Sequence, residues 1–280
     1  MLKYKIVIDS CGELLDKWKN KAYIESVPLT LIVGGEEIID DETFDQKEFL
    51  RKIAECPECP KSACPSPERY LQAFRCEAEH IYGVTLSAEL SGSYNSAVLG
   101  RNLLLEEEPD KKVHIFNSCS ASVAETMIAM KIEEYEEKGM SFEEIVENVE
   151  RYIEEQNTLF VLENLETLRK NGRLSRTKAF VAGALKIKPV MAATPEGTIC
   201  QLDQARGINK ALLKLVDHMM ERNPDSKGKV LGISTCNCRE RAEMLKEAFL
   251  AKGQFADVII QDMGGLSSLY ANDGGVIVVV

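Results

Sequence analysis

The sequence has little of what most hydrolytic active sites use. Only three histidines and one tryptophan occur in 280 residues. His80, His114 and His218 are widely spaced, and no H-E-x-x-H, G-x-S-x-G, Walker or G-x-G-x-x-G pattern is found. A Ser-His-Asp assembly would therefore have to arise from tertiary contacts alone. The sequence gives little support to enzymes of these classes.

Long apolar runs and an excess of positive charge are also absent. No stretch reaches the roughly 18 apolar residues of a membrane span, and Asp9 comes too early for a signal peptide. The 45 acidic and 34 basic residues give a net charge of -11. This charge disfavours phosphate backbones and anionic lipid head groups. We expect a cytoplasmic protein without nucleic-acid binding or stable membrane insertion.

The nine cysteines are an odd number spread over the chain, which is typical of reduced thiols. Cys56 and Cys59, with Cys64 nearby, come closest to a metal-binding pattern. Structural zinc normally uses two such pairs. A redox pair would be expected at a helix N-terminus, whereas this pair precedes Pro60. We therefore expect incidental loop thiols and no metal site, and the sequence leaves a redox role open.

The order of predicted elements indicates an α/β fold with two parts. The chain is 45% hydrophobic, which is enough for a sizeable core. Residues 1–156 alternate β-branched runs with helical patterns, which predicts an N-terminal domain with a mostly parallel sheet covered by helices. Residues 157–280 contain a predicted hairpin at 188–193 and 199–205, which favours a C-terminal α+β domain with a hairpin-bearing sheet.

Local patterns predict further elements. We expect a short helix at 13–19, an extended segment at 23–33, a loop at 56–65 and a helix at 177–185. Thr43 and Gln46 have capping-box spacing before a helix, as do Ser141 and Glu144.

Three segments rich in hydroxyl groups or glycine could bind an anion. In residues 85–97 a predicted strand ends in small hydroxyl residues before a helix, so free backbone N–H groups meet the Ser91 and Ser93 hydroxyls. Simple helix capping explains the same residues. Residues 61–67 have the same layout before another helix. Residues 168–175 place Arg173 on a glycine turn, where it could also be an ordinary surface cation.

These segments, in this order, resemble the DegV family of bacterial fatty-acid-binding proteins. The resemblance covers essentially the whole chain. The matching motifs are Val7-Ile8-Asp9-Ser10, Val27-Pro28-Leu29, Ser62-Ala63-Cys64-Pro65-Ser66-Pro67, Leu90-Ser91-Gly92-Ser93-Tyr94-Asn95-Ser96-Ala97, Leu168 to Ser175, and Ile187-Lys188-Pro189.

The resemblance implies two α/β domains and a carboxylate held by hydroxyl and backbone donors. By position, the implied ligand-binding residues are Ser62, Ser91, Gly92, Ser93 and Arg173. The chain departs from the family pattern at Tyr270, where many members carry a histidine. A phenol can still donate a hydrogen bond to the carboxylate, so we include Tyr270 in the expected site. Ala63 and Cys64 also replace the family's usual Ser-Gln.

The function that the resemblance implies is non-catalytic. The chain would bind one long-chain fatty acid without a cofactor, bury the tail, and present the carboxylate to a separate ATP-dependent kinase subunit. That subunit, related to dihydroxyacetone kinases, would form the acyl phosphate. Two alternatives stay open: a hydrolase or transferase acting on a small phosphorylated or acylated molecule, and a sensor of another apolar carboxylate.

Overall fold

The fold is known from a computed structural model that describes residues 2–174 and 186–280. Within these residues the chain forms thirteen strands and nine α-helices. The strands are β1 (Tyr4–Asp9), β2 (Ile24–Val27), β3 (Thr30–Val33), β4 (Glu36–Ile39), β5 (Lys61–Ala63), β6 (His80–Thr85), β7 (Lys112–Asn117), β8 (Thr158–Val161), β9 (Ile187–Ala193), β10 (Ile199–Arg206), β11 (Val230–Thr235), β12 (Asp257–Asp262) and β13 (Val276–Val279). The helices are α1 (Gln46–Glu55), α2 (Pro67–Phe74), α3 (Ser93–Glu107), α4 (Val123–Glu137), α5 (Phe142–Glu155), α6 (Glu166–Lys170), α7 (Ile208–Arg222), α8 (Arg239–Leu250) and α9 (Gly265–Ala271). The predicted helix at 177–185 and Ser175 lie outside the described residues.

The first sheet is parallel throughout, with the strand order β2-β1-β6-β7. Its strands are apolar on both faces because helices cover both of them. Ile6 and Ile8 of β1 pack with residues of α4 and α5 on one face. Val7 packs with residues of α2 and α3 on the other. All four strands therefore end at one edge, where the serine-containing segment 85–97 follows β6.

The second sheet is mixed, with the order β10-β9-β8-β13-β11-β12. Every neighbouring pair is antiparallel except β11 and β12. Strands β9 and β10 form the predicted hairpin, with Gly197 in its turn at a φ of 85°. Helices α7 and α8 pack their apolar faces on this sheet around Leu215 and Phe249. The predicted fold class is confirmed, and the domain boundary near residue 157 stays a prediction.

Several local predictions were wrong. The expected helix at 13–19 is only a 3-10 turn, Asp16–Trp18. The extended segment at 23–33 is two strands that join different sheets, and the expected loop at 56–65 contains β5. Strands β4, β3 and β5 form a third, antiparallel sheet. They are three or four residues long, too short for alternation to be visible.

Two of the predicted caps have different outcomes. Helix α1 is capped by Asp45, whose side chain accepts from the Glu48 amide, and not by Thr43. The capping box of Ser141 and Glu144 is confirmed at α5.

The two large sheets meet along α4 and along the hairpin turn. Val123 and Met127 of α4 pack against Val279 of β13, so this helix contacts both sheets. The Ser87 hydroxyl, after β6, donates to the Gly197 carbonyl at 2.7 Å. A side chain at Gly197 would overlap Ser87. Glycine is therefore required here both for its positive φ and for the close approach of the two backbones.

Among the described residues, no helix combines the length and the apolar character that crossing a lipid bilayer requires. All nine cysteines lie in the described part of the chain, and all are free thiols.

The close contact of α2 and α3 predicts the effect of one substitution. A Cβ at Gly100 would lie 2.8 Å from both the Pro67 carbonyl oxygen and the Tyr70 Cβ. We expect Gly100→Ala to lower the free energy of unfolding by about 1–3 kcal/mol through overpacking, although alanine favours an isolated helix by up to about 1 kcal/mol. Urea denaturation measures the change. Leu99→Ala, on the exposed face of α3, is the control, and an equally or more stable Gly100→Ala protein would contradict the prediction.

Candidate functional site

Ser93 lies in a buried network at the N-terminus of α3. Its hydroxyl donates to Asp9 Oδ2 at 2.6 Å and lies 2.6 Å from the Tyr70 hydroxyl, which must therefore be the donor of that second bond. Its amide donates to Ser91 Oγ at 3.2 Å. Both donors of Ser93 are thus used within the protein, and the side chain is completely buried. Its geometry is that of a residue that supports the loop.

Ser91 and Gly92 form the end of this loop that faces outward. Ser91 is half-buried, and its hydroxyl accepts from the Ser93 amide. Within the described parts of the chain, the amides of Gly92 and Tyr94 have no acceptor. Helix α3 is 15 residues long, so its first amides and its dipole favour an anion. The predicted anion-binding character of this loop therefore has a geometric basis.

The second serine segment lies against the first. Ser62 lies in β5, opposite Leu31 of β3. Two residues later, Cys64 Sγ lies 3.1 Å from the position that a Cβ of Gly92 would occupy. Any side chain at position 92 would therefore push against Cys64. Cys64 and Gly92 are 28 positions apart in the sequence. The two serine segments nevertheless lie against each other and form one continuous surface.

Tyr270 and Arg173 complete this surface from the second half of the chain. The Tyr270 hydroxyl, on α9, lies 3.3 Å from Ser62 Oγ. The Arg173 guanidinium carbon lies 5.8 Å from the centroid of the Tyr270 ring. Arg173 Nε also donates to the Leu90 carbonyl at 3.1 Å, directly before Ser91. The structure thus brings together five of the six predicted site residues, with Ser93 behind them.

An apolar cavity adjoins these residues. Its volume is about 100 Å³. Loops that follow strands of the first sheet and strands of the second sheet contribute to its wall, and Leu90, Arg173 and Tyr270 belong to it. The other residues of the wall are Cys11, Leu86, Cys119, Ser120, Ala121, Thr158, Phe160, Leu162, Leu168, Ala193, Gly197, Thr198, Ile199, Leu266, Ser267, Ala271 and Ile277. This volume is below the roughly 300–1,000 Å³ of typical small-molecule pockets, so a long-chain ligand requires the wall of the cavity to move apart.

Two buried carboxyl groups hold α9 in place, and sequence reasoning missed both. Asp40 accepts from the amides of Gly265 and Leu266 at 2.6 and 2.8 Å. Glu13 accepts from the Gly264 amide at the start of α9 at 3.4 Å and from the Ser122 hydroxyl at 3.0 Å. Burial raises the pKa of Asp40 to about 6 and that of Glu13 to about 7. Helix α9 itself was not predicted either, because nearly all of its residues are buried and it has no amphipathic pattern.

Three further side chains were not predicted to lie together. One oxygen or sulfur atom from each of Asp9, Cys11 and Glu125 lies within 4.8 Å of the others. Asp9 already accepts three hydrogen bonds, from the Cys11 amide, the Leu86 amide and the Ser93 hydroxyl. We therefore assign no metal to this group.

The histidines lie outside the site. His80 pairs with Glu136, His114 with Glu150 and His218 with Asp203. Within residues 2–174 and 186–280, none of them is hydrogen-bonded to a serine. A hydrolase with a histidine base therefore has no basis in this geometry.

Comparison with known proteins gives one family over the whole chain. A family model described as "Uncharacterised protein, DegV family" matches residues 3–280. A DegV domain-containing protein of Streptococcus pneumoniae is 36% identical, over 99% of this chain and 98% of its own length.

Two solved structures are also similar along their full length. A DegV family protein of Ruminococcus gnavus, solved with vaccenic acid, has 52% identity and a TM-score of 0.97, and all of both chains is covered. The fatty acid kinase B3 protein of Streptococcus pneumoniae, loaded with linoleic acid, has 34% identity and a TM-score of 0.90, with 99% of each chain covered.

The raised pKa of Glu13 predicts how stability depends on pH. The native state holds a proton up to about pH 7, and the unfolded state releases it near the ordinary 4.5. The native state therefore binds more protons between these values, so this group makes the protein less stable as the pH rises.

We expect the difference in free energy of unfolding, wild type minus Glu13→Gln, to fall by about 3 kcal/mol between about pH 4.5 and pH 7.5. Denaturant unfolding at both pH values measures it. Glu154→Gln, which removes an exposed carboxyl, is the control. A difference that stays constant or rises with pH would contradict the assignment.

Proposed function

Because the chain belongs to the DegV family, we propose that it binds one long-chain fatty acid and presents the carboxylate to a separate kinase subunit. The observation that carries this proposal is the apolar cavity bordered by Tyr270 and Arg173. The wall is apolar, as a fatty-acid tail is, and the groups at the border suit an anionic head group. The relatives with bound vaccenic and linoleic acid support the same ligand class.

The energetics of such a complex are favourable. Each buried methylene contributes about 0.8 kcal/mol, and part of this gain is lost through ordering of the ligand. An unpaired carboxylate in the same place would cancel much of the gain. Arg173, the free amides at the start of α3 and the hydroxyls of Ser62, Ser91 and Tyr270 supply a cation and neutral donors. We assign Ser93 to the support of this loop.

The proposal that the chain presents the carboxylate rests on how exposed the surrounding residues are to solvent. Ser62, Ser91 and Arg173 are half-buried, whereas the wall of the cavity is largely buried. A carboxylate held by these residues would be accessible to another protein while its tail is not. A separate ATP-dependent kinase subunit, related to dihydroxyacetone kinases, could then phosphorylate the carboxylate. In this proposal the chain itself supplies no nucleophile, base or cofactor.

Ligand binding tests the head-group assignment. Native mass spectrometry of the purified protein, followed by extraction and identification of the lipid, establishes what it carries. We expect Tyr270→Phe and Ser62→Ala each to weaken fatty-acid binding by about 1–3 kcal/mol, or roughly 5- to 150-fold in Kd. Tyr135→Phe, on α4 and away from the cavity wall, is the control. Unchanged affinity in both site variants would disprove the assignment.

An assay of acyl phosphate formation tests presentation. With ATP and a candidate kinase subunit, the fatty-acid-loaded protein is expected to yield acyl phosphate, trapped as a hydroxamate by hydroxylamine. Neither protein alone should yield it. Turnover by the chain without a partner would favour the hydrolase or transferase alternative. Tight lipid binding with no product in the presence of the kinase would favour a carrier or sensor.

A further inference from the structure

Glu125 is a completely buried acid. It lies in the first turn of α4, and neither carboxyl oxygen has a hydrogen-bond partner among the described residues. A Cβ at Gly12 would lie 2.9 Å from the Glu125 Cβ, so the backbone of residue 12 lies directly against this side chain. A buried carboxylate without donors carries a large desolvation penalty, which calls for a specific compensation.

A second buried acid, Asp9, lies beside Glu125. Both side chains are fully inaccessible to solvent, and an oxygen of each lies within 4.8 Å of the other. Asp9 Oδ2 accepts two hydrogen bonds, whereas Oδ1 accepts only the one from the Cys11 amide at 3.1 Å. A carboxylate oxygen can accept two. Asp9 therefore has room for one more donor.

Among the residues that the structure describes, no positive charge is recorded as acting on either acid. The titratable groups that act on this pair from the neighbouring elements are all acids, thiols or phenols: Cys11, Glu13, Asp40 and Tyr70. Two adjacent buried carboxylates do not both ionise under these conditions. Burial and the nearby charge of Asp9 together raise the pKa of Glu125 well above its ordinary value.

We infer that Glu125 is protonated and donates a hydrogen bond to Asp9, and that this pair positions the loop that binds the ligand's carboxylate. The inference rests on the proposed function. Asp9 binds the loop at both ends, through the Leu86 amide and the Ser93 hydroxyl. Ser91 and Gly92 lie between these two anchors. Glu125 is thus a positioning residue that acts through Asp9.

A neutral Glu125 also suits an anionic ligand. With one proton shared, the pair carries a single negative charge behind the loop. That charge is already balanced by three donors to Asp9. A second charge from Glu125 would weaken the attraction of the α3 N-terminus for a carboxylate.

Infrared difference spectroscopy tests the protonation directly. At a pH of about 8.5, above the pKa of about 7 at which Glu13 titrates, the wild type should retain the C=O stretching band of an un-ionised carboxylic acid. Glu125→Gln should lose this band, and Glu13→Gln should keep it. A wild type without the band would overturn the inference. So would a stoichiometric metal ion in elemental analysis that Glu125→Gln lacks.

Ligand affinity tests the positioning role. The amide of Glu125→Gln can still donate to Asp9, so we expect Kd for oleic acid within about threefold of wild type. Glu125→Leu has no donor, and its Kd should rise by about tenfold or more. Equal affinity of the folded Leu variant would overturn the role. If the Leu variant does not fold, the infrared band and the Gln variant still decide.

The proposed function can fail separately. If the wild type binds no fatty acid while the infrared band is present, the acid pair stands and its role in fatty-acid binding is overturned.

Discussion

The carboxylate of Asp9, completely buried at the end of β1, is the interaction on which the site depends. It accepts from the Cys11 amide, from the Leu86 amide after β6 and from the Ser93 hydroxyl at the start of α3. Parallel strands bring their carboxyl ends to one edge, but they leave the following loops free to diverge. The buried charge of Asp9 holds these loops together, because the loss of any one donor would leave the carboxylate short of a hydrogen bond. The loop from 86 to 93 is therefore fixed from within.

The other residues of the site come from separate elements of the fold. Ser62 comes from a short strand of the third sheet, Arg173 from the turn after α6, and Tyr270 from a helix capped by Asp40. Each is anchored by a different set of hydrogen bonds. Their convergence creates a border of donors and one cation around an apolar space. That combination suits a molecule with one charged end and a long apolar remainder.

Much of this could be predicted from the sequence, and the remainder has physical causes. Periodicity predicted the parallel sheet, the hairpin and most helices, because those elements are long and their burial is regular. It missed α9, which is buried on nearly all sides, and β4 and β5, which are too short. The motif resemblance named Ser62 and Tyr270, which lie 3.3 Å apart.

Buried acids show the limit of such predictions. Asp9 was part of a recognised motif, yet nothing in the sequence distinguished Glu13, Asp40 and Glu125 from the many exposed carboxylates of a chain with 45 acidic residues. The burial of a charge is decided by tertiary packing. Sequence reasoning also treated the Ser93 hydroxyl as a ligand contact, because its commitment to Asp9 depends on a partner 84 positions away.

The contact between Ser87 and Gly197 has a consequence for how a ligand enters and leaves. This hydrogen bond joins the loop after β6 to the turn between β9 and β10 beside the cavity. The cavity wall takes residues from the loops after the first sheet and from strands of the second sheet. An occupant of the cavity therefore touches both halves at once, and its binding free energy adds to the cohesion between them. The loaded protein should melt at a higher temperature than the empty one. Exchange of the occupant requires the halves to separate locally, so residence time is set by that opening as well as by the ligand's own contacts.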